Sequence, residues 1–188
     1  MSNSRADVLA AARAILAEHS LADLTMRRLA TDLGVRPNAL YWHFPNKQTM
    51  LAALADDLLA TVAAPPEGPL HQRIARLAAD MRAALLAVPD SAEIVSSAWA
   101  SGLSTRSTVD VMAAVARDAG VSPSTASGIA TATCQLVIGL TIEEQTRAQM
   151  ERLGVIEPSG RDFDREFADG LAVIVAGIRG VSQSSDLA

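Results

Sequence analysis

The segment from Leu24 to Lys47 constrains this chain more than any other: LTMRRLATDLGVRPNALYWHFPNK. Thr25 is a favourable helix N-cap, and Gly34 follows the last apolar residue of a short helical pattern, where a left-handed C-cap is favoured. Pro37 suits the first turn of a second helix, and Asn46 can cap a further one. The pattern therefore predicts two short helices joined by a tight turn, with another helix starting close behind them.

The side chains expected to face outward from this segment are of the types that bind phosphates and base edges of DNA. A pair of short helices with a tight turn is also the layout of a helix-turn-helix. We therefore expect about residues 25–44 to form a DNA-binding unit. Its outward residues are Arg27, Arg28, Arg36, Asn38, Tyr41, Trp42, His43 and Lys47.

Arg36 occupies the predicted N-cap of the second short helix, where its side chain satisfies no backbone donor. Local helix propensity does not explain an arginine at this position. We expect Arg36 to contact a base, since a guanidinium can donate two hydrogen bonds to guanine.

The charge of the chain is unevenly distributed. The net charge is −5, which argues against a protein that coats nucleic acid. Residues 1–62 carry six basic and six acidic residues, whereas residues 63–188 carry ten and fifteen. Between residues 25 and 47, Asp32 is the one acid among four basic residues. We therefore expect a small positive patch on an acidic protein.

Composition favours an all-α fold. Apolar residues make up 49% of the chain but aromatic residues only 3%, and abundant alanine and leucine favour helices. The single cysteine, Cys134, allows no intramolecular disulfide, as is usual in a reducing cytosol. We find no signal peptide, and no apolar run approaching the ~18 residues of a membrane span, the longest being Leu171–Ile178. A cytoplasmic protein without a membrane partner is expected.

The chain divides into two expected domains. Residues 63–69 hold three prolines and a glycine, a pattern typical of a boundary. We place a three-helix DNA-binding domain and a joining fourth helix, about Lys47–Val62, in residues 1–62. Residues 63–188 are expected to form a helical effector-binding and dimerisation domain, in which the last helix covers about Arg161–Gly180.

The last two helices carry apolar stripes at helical spacing. Two such helices from each of two subunits would form a four-helix bundle, although the same stripes could simply close the core of one subunit. Gly170 and Gly177 would allow close helix approach. The expected dimer-interface residues are Leu136, Leu140, Phe163, Phe167, Gly170, Leu171, Ile174 and Ile178.

Residues 5–62 resemble the DNA-binding domain of the tetracycline-repressor (TetR) family. The resemblance rests on LTMRRLATDLGV and ALYWHFPNKQTMLAAL, which follow an amphipathic helix; Ser20 departs from the glycine common at that point. It implies that Arg36, Pro37, Asn38 and Ala39 start the base-contacting helix. It also implies that Tyr41, His43 and Lys47 contact phosphates, and that Arg27 reaches DNA. Thr25 completes the expected DNA-contacting set.

Leu136–Gln149, LVIGLTIEEQTRAQ, resembles a helix of tetracycline-repressor C-terminal domains. This implies a small effector that changes the spacing of two DNA-binding heads. Histidines of the effector domain hold magnesium–tetracycline in that group, but here Gln135 stands near the expected histidine, and Glu143 alone is not a metal site. We expect a largely apolar effector and no metal or cofactor. The candidate pocket residues are Met81, Leu85, Trp99, Met112, Gln135 and Ile138.

We expect no enzyme activity. Cys134 lies in an apolar helix without a neighbouring histidine, which favours an inert buried thiol. The chain lacks a nucleophile motif, a phosphate-binding glycine loop and metal-ligand spacing. The favoured function is a repressor released from its operator by a small molecule. The alternatives are an activator of the same family, or a ligand-binding protein with a vestigial DNA-binding head.

Overall fold

The computed structural model describes residues 4–158 and 160–185. Those residues form helices and connecting loops without a strand, which confirms the all-α prediction. The helices, numbered in chain order, are α1 Arg5–Glu18, α2 Met26–Asp32, α3 Pro37–Tyr41, α4 Lys47–Leu58, α5 Leu70–Leu86, α6 Ser91–Ala100, α7 Thr108–Asp118, α8 Pro123–Arg152 and α9 Phe163–Ser185.

The described residues form two compact units. The first unit combines residues up to 60 with residues 85–105, and the second combines residues 61–84 with those from 106 onward. The segment around α6 therefore packs with the N-terminal helices, although it lies far beyond residue 62 in the chain. The linear division into 1–62 and 63–188 did not anticipate this grouping, and it stays a proposal.

Apolar residues at helical spacing build the core of the first unit. In α1 these are Val8, Leu9, Ala12, Ile15 and Leu16, all buried. Ser4 caps α1, because its side chain accepts from the Asp7 amide while the Asp7 carboxylate accepts from the Ser4 amide. That hydrogen bonding lowers the pKa of Asp7.

Two carboxylates fix the segment 85–105 within the first unit. Asp90, in the left-handed region at φ 60° immediately before α6, accepts from the Leu21 amide at 2.6 Å. At the other end of α6, Asp56 of α4 accepts from the Ser104 hydroxyl and from the amide and hydroxyl of Thr105. Both ends of α6 are therefore bonded to the N-terminal helices.

The second unit centres on α8, which packs against both α7 and α9. Arg82 of α5 is buried and forms ion pairs with Glu144 of α8 at 2.6 Å and Asp164 of α9 at 2.8 Å. Its guanidinium also lies 5.2 Å from the centre of the Phe167 ring. Buried arginine is stable only when it is paired in this way.

The long helix α8 is more apolar on average than the search for unbroken apolar runs indicated. One 18-residue window in it has a mean hydropathy of 1.4, so by length and composition it could cross a membrane. Aliphatic residues such as Val137 and Ile138, together with alanines, produce this value, and the threonines and glycines between them interrupt the apolar run. Since α8 is the central packing helix of the second unit, a soluble core helix also explains the composition.

Two helices, α4 and α9, differ from their predicted bounds. α4 ends at Leu58 instead of continuing to Val62. α9 begins at Phe163 rather than Arg161 and continues to Ser185, past the expected stop at Gly180. A glycine alone did not end that helix.

Thr25 provides a direct test of the helix-turn-helix architecture. Its hydroxyl accepts from the Arg28 amide at 3.1 Å, so Thr25→Ala should lower the free energy of unfolding by about 1 kcal/mol. Urea denaturation measures this change. Thr25→Ser keeps the oxygen and should remain close to wild type; equal stability of all three proteins would contradict the capping role.

Candidate DNA-binding surface

Backbone geometry fixes the turn between α2 and α3. The Leu33 amide donates to the Leu29 carbonyl at 3.0 Å, and the Val35 amide donates to the Ala30 carbonyl at 2.9 Å. Gly34 has φ 66°, a conformation that costs glycine little but strains other residues. The predicted N-cap at Thr25 and positive φ at Gly34 are both confirmed.

The short helix α3 presents its first turn to solvent. Pro37 occupies its first turn, and the Arg36 side chain forms no capping hydrogen bond. Arg36, Pro37, Asn38 and Ala39 are all exposed, so the four residues expected to contact bases are accessible together. Leu40, which follows them, is buried and anchors the helix.

Aromatic residues line the end of α3. Tyr41 is 47% exposed and Trp42 is 90% exposed, whereas Phe44 is fully buried. A tryptophan with this exposure loses little of its contact with water on folding, so core packing does not explain its presence. His43 is half-buried beside them. These side chains form an amphipathic edge next to the exposed turn of α3.

The basic residues of this surface differ in their partners. Arg28 contacts His19 Nε2 at 2.6 Å and pairs with Asp32 at 3.9 Å. Lys47 donates to the Leu21 carbonyl at 3.3 Å. This hydrogen bond gives Lys47 an acceptor inside the protein, which the sequence did not predict.

Arg27 and Arg36 carry the least compensated charges of the set. Both side chains are exposed, and within residues 4–158 and 160–185 neither has a carboxylate within ion-pair distance. Thr25 is exposed and uses its hydroxyl to cap α2. The surface thus combines unpaired guanidinium groups, an exposed amide side chain at Asn38 and two exposed aromatic rings.

The candidate effector-pocket residues fall in both units. Leu85 and Trp99 belong to the first unit; Met81, Met112, Gln135 and Ile138 belong to the second. All are buried except Trp99, which is half-buried, and Gln135, which is exposed. The indole Nε1 of Trp99 is itself buried and has no hydrogen-bond partner among the described residues. An unsatisfied buried donor of this kind costs about 1–3 kcal/mol.

Several charged groups of the second unit pair with one another. Glu143 pairs with Arg161 at 2.6 Å, and Arg161 also binds Glu166 through two hydrogen bonds of 2.7 Å. The Arg161 bonds lower the pKa of Glu166. Burial raises the pKa of Cys134 to about 12, which makes its thiol inert at neutral pH. A search of residues 4–158 and 160–185 found no cluster of potential metal ligands.

The apolar stripes of α8 and α9 pack partly within one subunit. Phe163 and Ile178 are buried in the single chain, and a Cβ added to Gly170 would lie 2.9 Å from the Leu136 side chain. A Cβ added to Gly177 would meet no atom within 4 Å among the described residues. The other expected interface residues are half-buried: Leu136, Leu140, Phe167, Gly170, Leu171 and Ile174.

Sequence reasoning missed Asp56, Asp90 and Arg82, which hold elements together over long sequence separations. The neighbouring residue Asp57 binds Arg13 at 2.6 Å, and Asp56 binds the segment after α6. No local signal identifies such partners, because they lie dozens of residues apart. The basic residue Arg82 in an otherwise apolar helical face was the one available hint.

Comparison with known proteins agrees with this geometry. The model of bacterial regulatory proteins of the tetR family matches residues 8–54, and that of the tetracyclin repressor-like C-terminal domain matches residues 62–157. The class A tetracycline repressor protein from transposon 1721 of Escherichia coli is 33% identical, over 91% of this chain and 88% of the repressor.

Solved structures show the same fold over nearly the whole chain. Mycobacterium smegmatis BioQ is 41% identical, with a TM-score of 0.84 over 94% of this chain and 97% of BioQ. A structure of BioQ with its double-stranded DNA operator is 40% identical and has a TM-score of 0.79, covering 94% and 98% of the two chains. A TetR variant from Acinetobacter baumannii AYE in complex with minocycline is 29% identical, with a TM-score of 0.78 over 96% and 98%.

The family models, the extended sequence identity and the shared fold lead to one conclusion. The chain belongs to the TetR family of bacterial regulatory proteins and is a DNA-binding transcriptional regulator.

Proposed function

We propose that this protein is a transcriptional repressor that binds its operator through α2 and α3 and leaves it when a small molecule binds. The observation that carries this proposal is the exposed first turn of α3, where Arg36 and Asn38 have no competing partner inside the described chain. The operator complex of BioQ and the minocycline complex of a TetR variant support the two binding partners.

The exposed residues divide into two proposed roles. Arg36, Pro37, Asn38 and Ala39 select the base sequence, with Arg36 donating to guanine. The phosphate-contacting residues hold the DNA-binding head on the duplex whatever the base sequence. The Lys47 ammonium has three N–H donors and gives one to the Leu21 carbonyl, so the others can bind a phosphate. The members of this second group are Thr25, Arg27, Arg28, Tyr41, Trp42, His43 and Lys47.

We further propose that the regulator is a homodimer. Twofold dimers of helix-turn-helix proteins bind two half-sites about 34–36 Å apart, or at larger spacings. Half-buried apolar residues on α8 and α9, such as Leu140 and Ile174, are available to a second copy in addition to the packing inside one chain. The family resemblance supports this assembly.

The effector is proposed to be small and largely apolar. Met81 and Met112 are adaptable, buried side chains among the pocket candidates of the second unit. Release of DNA requires the effector to bind one conformation of the dimer more tightly than the operator-binding one. We also propose that the protein has no catalytic role. Its proposed location is the cytoplasm, where a bacterial regulator meets its DNA.

Two variants should distinguish preference for the operator sequence from general affinity for DNA. A gel shift on DNA flanking the protein's own gene, with random DNA as comparison, tests operator binding itself. Arg36→Ala should lower the preference for the operator, because it removes a base contact. Lys47→Ala should weaken binding to both DNAs alike and reduce the salt slope by about one for each bound subunit.

The control for both variants is Arg13→Ala, which removes a cation already paired with Asp57. Thermal unfolding must accompany the Lys47 measurement, since Lys47 also binds the Leu21 carbonyl. Equal losses on operator and random DNA for both variants would refute the division of roles.

Ile174→Glu tests the dimer. A carboxylate on the half-buried apolar face of α9 should convert the dimer to a monomer and abolish high-affinity operator binding, measured by sedimentation velocity and gel shift. Arg165→Glu places the same residue at an exposed position of α9 and should leave the dimer intact. A wild-type protein that sediments as a monomer would refute the assembly.

Tetracycline with magnesium should not release the operator. The chain holds three histidines, His19, His43 and His71, and only the last lies in the second unit, at the start of α5. Glu143 is already paired with Arg161. Titration of tetracycline and Mg²⁺ into the protein–DNA complex should leave the gel shift unchanged; release at micromolar tetracycline would contradict the expected apolar effector.

A further inference from the structure

We propose that Arg5, the first residue of α1, contacts a DNA phosphate and is held in position by the ring of Phe44. This inference rests on the proposed function and extends the DNA-binding surface beyond α2 and α3.

The Arg5 guanidinium lies over the ring of the buried residue Phe44. The guanidinium carbon lies 4.7 Å from the centre of the Phe44 ring, and Phe44 is fully buried while Arg5 is exposed. A cation–π contact attracts the guanidinium to the ring through its charge and needs none of its N–H donors. Within residues 4–158 and 160–185 the Arg5 side chain forms no hydrogen bond, so those donors remain available to a ligand.

Phe44 lies directly beside the aromatic edge of the candidate surface. The amides of His43 and Phe44 both donate to the Leu40 carbonyl, at 3.0 and 2.9 Å, so this segment is a compact turn at the end of α3. Arg5 therefore contacts the residue that directly follows His43 in this turn.

The charges of the N-terminal helices single out the same residue. Of the six basic residues in positions 1–62, Arg13 pairs with Asp57 and Arg28 with Asp32. The other four have no carboxylate within ion-pair distance among the residues that the structure describes. They are Arg5, Arg27, Arg36 and Lys47, and the last three are already proposed to contact DNA.

The nearby carboxylate of Asp7 is occupied elsewhere. It accepts from the amide and hydroxyl of Ser4 at 2.7 and 2.8 Å. The Ser4 hydroxyl in turn accepts from the Asp7 amide, so the start of α1 is capped internally. The group available to a phosphate is therefore the Arg5 side chain rather than the helix end.

The competing explanation is that Arg5 only covers Phe44 and stabilises the head. The salt dependence of DNA binding separates the two roles. A protein that makes one phosphate contact fewer releases fewer counterions when it binds, so the slope of log Kd against log [NaCl] falls by about 0.9. A purely stabilising contact leaves this slope unchanged.

The test uses the full-length protein and a fluorescein-labelled duplex of mixed sequence, titrated at several NaCl concentrations. Arg5→Gln should bind several-fold more weakly at low salt, with a slope reduced by about one for each bound subunit. Arg5→Lys keeps the charge and should retain the wild-type slope. Arg13→Gln, which removes a paired cation from the same helix, should also retain it.

Three results would overturn the proposal. They are an unchanged slope for Arg5→Gln, an equal fall in slope for Arg13→Gln, and a loss of affinity that tracks a lower melting temperature without any change in slope. Failure of the proposed function would differ from all of these, because the wild-type protein itself would then show no salt-dependent binding to mixed-sequence or flanking DNA.

Discussion

The burial of Leu40 and Phe44 is the interaction on which the rest of the DNA-binding surface depends. The helix α3 runs only from Pro37 to Tyr41, far too short to be stable by itself in water. Leu40 is 1% exposed and Phe44 is fully buried, so these two side chains hold the helix against the first unit. Without them, Arg36 and Asn38 would have no fixed geometry toward a base edge.

The same anchor organises the charges around it. The Phe44 ring supports the guanidinium of Arg5, and Lys47, at the start of α4, is bonded to the turn after α1 through the Leu21 carbonyl. The amide of Leu21 is held by Asp90, just before α6. One residue, Leu21, is therefore bonded through its backbone to both α4 and the segment before α6, which connects the first unit from its DNA-binding edge to residue 105.

Local sequence signals predicted the short-range features of the head well. The Thr25 cap, the positive φ of Gly34 and the start of α3 at Pro37 are all set by interactions within a few residues. The fourth helix and the last helix were also foreseen, apart from their ends. Residue types in the 24–47 segment were sufficient to identify the family.

Long-range features were not predictable from one sequence. The grouping of residues 85–105 with the N-terminal helices depends on Asp56 and Asp90, whose partners are tens of residues away. The buried ion pairs of Arg82 join three helices that no spacing rule connects. For the effector region, helical periodicity identified buried residues such as Met81 and Met112, but it could not separate a pocket wall from ordinary core.

Selection of genomic fragments bound by the wild-type protein tests the central claim most directly. The account predicts strong enrichment of a few fragments that share a palindromic site, with half-sites about one helical turn or more apart. Enrichment that follows fragment length without a shared site, or no retained DNA at physiological salt, would contradict it.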